Sequence, residues 1–266
     1  MHNAAFAAAG IDARYELREI EPEGVEEAVV EARGPDWLGL GVTAPYKRRV
    51  AELVDEVEAD AARIGAVNNV LRTSDGELIG FNSDAPGFRA GVELAMGRPL
   101  AGADVVVAGA GGAAHAVVFA CLDAGARRVT IGNRTLSSAA GVAERFAGVG
   151  SGQVSALALN DPAFLAALGS ADLAVNATTV GMLDPGMTID VEELPPEATV
   201  FDLVYVPPET PLLAAARARG LRTANGSEML IAQAAIAFER WTGLGGMAGV
   251  MREAVAPLLA DVGAKA

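Results

Sequence analysis

"DVVVAGAGGAAHA", residues 104–116, changes character in its middle. Val105, Val106 and Val107 favour extended backbone, Gly109-Ala110-Gly111-Gly112 punctuates, and the small residues after it favour helix. A membrane span is the competing reading, because no charged side chain occurs from Val105 to Leu122. Strand, glycine turn and helix account better for glycines placed in the centre of the run. The turn fits G-x-G-x-x-A from Gly109 to Ala114. In such a turn one glycine makes the bend and the next lets backbone N–H groups approach a pyrophosphate. The small last residue packs helix on sheet, and the helix dipole favours the phosphates. The sequence therefore points to a dinucleotide-binding βαβ unit.

The second strand, "RRVTIGN" (127–133), ends in Asn133-Arg134-Thr135, with Asn133 standing 24 residues after Gly109. A site that prefers NAD usually carries Asp or Glu here, to hold the ribose 2′-hydroxyl. A guanidinium flanked by neutral polar groups suits a 2′-phosphate instead, so NADP is the expected cofactor. The bland alternative is that Arg134 only covers surface.

Downstream, 136–147 reads as a helix, and "QVSALAL", "ADLAVNAT" and "ATVFDLVY" (153–159, 171–178, 198–205) read as short strands. Strands alternating with helices imply a mostly parallel sheet covered on both faces, an α/β fold. From Ser227 to Leu259 the pattern is two helices broken at "TGLGG" (242–246). Upstream, residues 4–9 form a helix stopped by Gly10, and "WLGLGVT" (37–43) reads as a buried strand ending at Pro45. Residues 46–65 read as one amphipathic helical region, with Val50, Leu53, Val54, Val57 and Ala61 at helical spacing. "AVNNVLRTSDGELIGFNSD" (66–84) alternates around Ser74-Asp75-Gly76 as a hairpin does.

The 266 residues are 52% hydrophobic and carry a net charge of −14, with 34 acids against 20 bases. That balance opposes non-specific nucleic-acid binding, and no basic amphipathic run suggests a membrane surface. Cys121 is the only cysteine, and His2 and His115 are the only histidines. A disulfide framework, a metal cluster or a Ser-His-Asp triad has almost nothing to be built from. Cys121 is expected in the core and His115 in a structural role. Met1-His2-Asn3-Ala4 lacks the regions of a signal peptide, so a cytoplasmic location is expected.

Lys47 and Lys265 are the only lysines, against eighteen arginines. Reducing a carbonyl by hydride transfer requires a proton donor at the developing alkoxide. Arginine does not release its proton near neutral pH, whereas lysine can. A carboxylate partner would orient the ammonium, but spacing does not choose it among the 34 acids.

"GVTAPYK", "GAVNN", "GFNSD", "GAGGAAHA", "GNRT", "VNATTVGM", "FDLVYVPPETPLL" and "NGSEMLIAQAAIAFERWTG" occur in this order between residues 41 and 243. In these motifs the chain resembles the shikimate dehydrogenases. The resemblance implies a substrate domain (1–84), a Rossmann-type NADP domain (85–225) and C-terminal helices (226–266) returning to the substrate domain. The active site of that family lies in the cleft between the domains. It reduces 3-dehydroshikimate to shikimate with NADPH, reversibly, as a monomer or homodimer. Carried over, Lys47 is the catalytic lysine and Asp84 its partner, while Thr43, Asn68, Asp84, Tyr205 and Gln233 contact substrate. Gly109, Ala110, Gly111, Gly112 and Ala113 match the phosphate turn, and Asn133, Arg134 and Thr135 the 2′-phosphate site. Leu203, Gly226 and Met229 fall where the family flanks the nicotinamide. No metal is implied.

Without the resemblance these positions have plainer readings. Thr43 could cap a helix, Asn68 and Asn69 could shape a turn, and Tyr205 could simply pack. Gln233 stands on the apolar run "MLIAQAAIAF", where a polar group needs a partner. The chain also departs from the family pattern. The family's first strand and a loop with two carboxylate-binding serines precede "MHN" and do not occur in these 266 residues. Weak substrate binding and an unpaired sheet edge are the expectations that follow. Gly41 replaces Asn, Asn69 and Ser83 replace Thr, and Ser138 replaces a second basic residue. These changes keep quinate or an amino analogue of shikimate open as substrate. A non-catalytic NADP- or shikimate-binding module is the remaining alternative.

Overall fold

In the computed structural model, which describes residues 1–263, the chain forms two compact units. One comprises Met1–Gly87 and Ile231–Val255, and the other is built on Phe88–Leu230. Lys265 and the end of the expected 226–266 region lie outside the described residues.

The first unit opens with α1 (His2–Ala9), which Gly10 ends at φ 66°, and α2 (Val25–Glu31). Strand β1 (Gly39–Gly41), helix α3 (Lys47–Ala51), β2 (Glu56–Val57) and α4 (Ala59–Ile64) follow. Then come β3 (Asn69–Arg72) and β4 (Leu78–Phe81), the expected antiparallel hairpin, with Gly76 at φ 87° in its turn. The sheet order is β1-β3-β4-β2, so β1 lies at an edge.

Two expectations are corrected here. Residues 37–43 do not form a buried strand: only Gly39–Gly41 is extended in the sheet, and those residues are half-buried or exposed. Residues 46–65 are not one helical region either. The Asp55 N–H donates to Leu78 O and the Glu58 N–H to Gly80 O, so the backbone between α3 and α4 completes the β4 edge. Val50 and Ala61 still enter the core beside Val67, Val70 and Leu78, which is why their helical spacing misled.

Helix α5 (Asp84–Met96) leads into the second unit. Its strands are β5 (Asp104–Ala108), β6 (Arg128–Asn133), β7 (Gln153–Ala158), β8 (Leu173–Asn176), β9 (Thr199–Asp202) and β10 (Arg222–Asn225). Between them run α6 (Gly112–Asp123), α7 (Leu136–Phe146), α8 (Pro162–Leu168) and α9 (Pro211–Ala218). All pairings are parallel, in the order β10-β9-β8-β5-β6-β7. Strands β5, β8 and β9 are buried along their whole length, as expected of a sheet covered on both faces. The order reverses between β5 and β8, the switch point where open α/β sheets bind ligands. Helices α10 (Ser227–Thr242) and α11 (Ala248–Gly263) complete the chain on either side of the expected break. No described helix is long and apolar enough to cross a membrane; Val105–Leu122 is β5, the glycine turn and most of α6.

Helix α10 re-enters the first unit at Ile231. Trp241 Nε1 donates to Val70 O at 2.9 Å, and a Cβ on Gly39 would stand 2.5 Å from that nitrogen. Glycine at 39 is what lets the indole reach the sheet backbone.

At the start of β5, Asp104 is 4% exposed and accepts from Arg127 Nε (2.8 Å), Arg127 Nη2 (2.7 Å) and Arg128 Nη2 (2.5 Å). The Arg127 hydrogen bonds, helped by Arg128, hold this carboxyl below its usual range against the opposing effect of burial. A depressed folded-state pKa contributes stability above the unfolded value of about 4, lost as pH falls through the folded value. Asp104→Asn is therefore expected to cost about 2 kcal/mol at pH 7, less than a fully buried pair because both arginines are partly exposed. Urea denaturation at pH 7 and pH 3 checks this; the gap should narrow at pH 3.

Candidate active site

Lys47 begins α3 and Asp84 begins α5, two short-range consequences of the turns before them. Tyr46 N–H donates to Thr43 O, closing the turn that delivers Lys47. The Asn82 side chain donates to Ala66 O and accepts from Ala85 N–H, which fixes the first turn of α5. Lys47 Nζ then donates to Asp84 Oδ2 at 2.6 Å, with the two side chains 28% and 17% exposed. The pair is sheltered yet reachable. One ammonium hydrogen is committed to Asp84, and two remain for another oxygen.

Next to this pair lies a buried amide network. Asn68, Asn69 and Ser83 are 4%, 3% and 0% exposed. Ser83 Oγ accepts from Asn69 Nδ2 (2.8 Å) and Asn68 Nδ2 (3.2 Å), and donates to Gln233 Oε1 (3.2 Å). Asn68 Oδ1 accepts from Ser83 N–H and from Asn69 Nδ2. Val42 N–H donates to Asn68 O, which sets exposed Thr43 one residue from the network. The first unit thus brings together Lys47, Asp84, Asn68 and Gln233, with Thr43 adjoining. Tyr205 is half-buried in the second unit. The family resemblance gave no role to Asn69 and Ser83, although both were noted as unusual residues at their positions.

The glycine turn of the second unit lies at its switch point. Gly109 has φ 116°, and a Cβ there would meet Ala177 O, at the end of β8, at 2.9 Å. Cβ atoms on Gly111 and Gly112 would meet none of the described residues within 4 Å, and Gly111, Gly112 and Ala113 are exposed. Among the described residues no side chain caps the N-terminus of α6. An open cradle of uncapped N–H groups at a helix start fits a pyrophosphate. At the end of β6, Asn133 Nδ2 donates to Thr135 O, shaping the turn that presents exposed Arg134 and Thr135. Among the described residues no carboxylate is paired with Arg134. Gly226 approaches the Leu203 backbone so closely that a Cβ would lie 2.2 Å from Leu203 O. Met229, in α10, packs its backbone on Gly91, where a Cβ would be 3.0 Å from its nitrogen.

Behind Leu203 is a second hub that sequence reasoning missed. Asp202, fully buried at the end of β9, accepts from Thr210 Oγ1 (2.7 Å), Asn176 Nδ2 (2.8 Å) and Val204 N–H (3.0 Å). Burial raises its pKa, partly offset by these donors. A polar residue ending each of two adjacent apolar strands was the available signal. Cys121 takes the core place expected of it. His115 packs edge-on against Phe146, with Nδ1 3.0 Å from Gly111 O, and Cys121 is buried with its thiol pKa pushed up. No group of three or more potential metal ligands occurs among the described residues.

Family models match three stretches: the shikimate dehydrogenase substrate binding domain at residues 1–70, shikimate / quinate 5-dehydrogenase at 93–183, and the shikimate 5′-dehydrogenase C-terminal domain at 226–256. The shikimate dehydrogenase (NADP(+)) of Geobacter metallireducens is 40% identical over 257 residues, 96% of this chain and 90% of that protein. The structure of shikimate 5-dehydrogenase from Thermus thermophilus in complex with NADP(H) and shikimate is 38% identical. It superposes with TM-score 0.84 over 96% of this chain and 92% of that one. Quinate dehydrogenase from Corynebacterium glutamicum in complex with NAD superposes with TM-score 0.88 at 33% identity, over 96% and 92% of the two chains. Taken with the switch-point turn and the Lys47–Asp84 pair, these likenesses show that the chain belongs to the shikimate dehydrogenase family.

Proposed function

We propose that the chain is an NADP-dependent shikimate dehydrogenase interconverting 3-dehydroshikimate and shikimate, with most of the substrate contacts made by residues of the first unit and the cofactor contacts by residues of the second. The Lys47–Asp84 contact at 2.6 Å is the observation that carries the chemical assignment. The nicotinamide, when bound, exchanges the hydride. Lys47 Nζ gives a proton to the substrate oxygen in reduction and takes it back in oxidation. Asp84 holds one ammonium hydrogen, which aims the others, and its second oxygen can accept from a substrate hydroxyl. Asn68 and Gln233 offer further hydrogen bonds to a polyhydroxylated ring, and Thr43 and Tyr205 complete the proposed substrate contacts. Gly109, Ala110, Gly111, Gly112 and Ala113 would hold the pyrophosphate, and Asn133, Arg134 and Thr135 the 2′-phosphate. Leu203, Gly226 and Met229 would flank the nicotinamide, where the Gly226–Leu203 approach leaves no room for a larger residue.

Quinate is the second reading, favoured by Asn69 and Ser83 in the network beside Asp84 and by the likeness to a quinate dehydrogenase. Specificity constants for shikimate, quinate and an aminoshikimate with NADP+ decide between them. The proposal expects shikimate to lead by at least tenfold, as a buried hydrogen-bonding site discriminates strongly against altered ring substituents. Quinate in the lead would replace it.

A further inference from the structure

The Ser83 hydroxyl is used to its full capacity. It has one hydrogen and two acceptor sites, and three amide side chains, those of the neighbours Asn68 and Asn69 and of the distant Gln233, occupy them. Asn69 Nδ2 spends both of its hydrogens inside the network, on Asn68 Oδ1 (2.9 Å) and Ser83 Oγ (2.8 Å). With Asn69 and Asn68 both donating to it, Ser83 Oγ can direct its own hydrogen only to Gln233 Oε1. Asn68 Oδ1 is likewise filled, by Ser83 N–H (2.8 Å) and Asn69 Nδ2. Both amides that adjoin the Lys47–Asp84 pair therefore have their oxygen ends turned into the protein. What Asn68 can still offer a ligand is N–H, and the same contact with Ser83 turns the nitrogen end of Gln233 away from the hydroxyl.

We infer that Ser83 and Asn69 are positioning residues that fix the amide orientation of Asn68 and Gln233, so that both meet substrate as hydrogen-bond donors to its oxygen atoms. The inference rests on the proposed function and deepens it, since it assigns donor character to the substrate site. The chain position adds a second effect. Ser83 directly precedes Asp84, and its N–H and side chain are both held. Leaving either amide free to rotate would replace a donor by an acceptor in half of its orientations. A substrate oxygen would then face a carbonyl oxygen, and a buried donor would lose its partner.

Two variants test this. Ser83→Ala removes the shared hydroxyl. Asn69→Asp keeps the shape but cannot donate, so it draws the Ser83 hydrogen to itself and strips Gln233 of its donor. Steady-state kinetics should show the KM for shikimate raised at least tenfold in each, with the KM for NADP+ within about twofold of wild type. Should Ser83→Ala fail to fold, Asn69→Asp carries the test. A KM for shikimate within twofold of wild type, or an equal rise for both substrates, would mean that the network only packs the fold and would overturn the inference. Wild-type protein inert towards shikimate would overturn the proposed function and this inference with it. Wild-type turnover with unaltered variants would overturn the inference alone.

Discussion

Lys47→Ala is expected to lower kcat for shikimate oxidation by roughly 10²–10⁴-fold, the range set by loss of a positioned general acid–base. The KM for NADP+ should change little, because Lys47 stands in the first unit among residues proposed for substrate. Lys47→Arg is the more informative change. It keeps a cation that can still pair with Asp84, but a guanidinium does not give up a proton near neutral pH. A role confined to charge would leave Lys47→Arg close to wild type. A role in proton transfer places it near Lys47→Ala. Steady-state rates in both directions, followed at the NADPH absorbance, separate the two outcomes.

Arg134→Ala is expected to reduce kcat/KM for NADP+ by about a hundredfold while leaving that for NAD+ within a few-fold. Two charge-assisted hydrogen bonds to a 2′-phosphate, at roughly 1.5–3 kcal/mol each less solvent screening, account for the size of the effect. The side chain is exposed at the end of β6, so its removal should leave the fold intact. Equal losses with both cofactors would mean that Arg134 shapes the turn and does not read the phosphate.

The fold was most legible where two kinds of pattern agreed. At 104–116 the β-branched run, the glycines and the small helical residues each point to one element, and β5, the turn and α6 follow. Residues 46–65 carried only one pattern. Val50 and Ala61 flank a short strand, yet they keep helical spacing because α3 and α4 present them to the same core. Strand β10, "RTAN", offered no pattern at all; it exists because β9 leaves a parallel edge to be filled. In the site, Lys47 stood out because arginine had replaced lysine elsewhere along the described chain, and chemistry then gave it a reason. Asp84 did not stand out, since a partner 37 residues away is chosen by two turns closing on each other and not by spacing. Family resemblance supplied that pair. It gave no role to Asn69 and Ser83, because the contacts that join them to Gln233 form only once β3, the start of α5 and α10 are packed together.

The central claim is tested most directly by the initial rate of NADPH formation when the purified 266-residue chain is mixed with shikimate and NADP+. The account predicts turnover that saturates in both substrates and falls at least a hundredfold in both Lys47→Ala and Lys47→Arg. Absence of turnover in the folded wild-type chain, or full activity in Lys47→Arg, would contradict it.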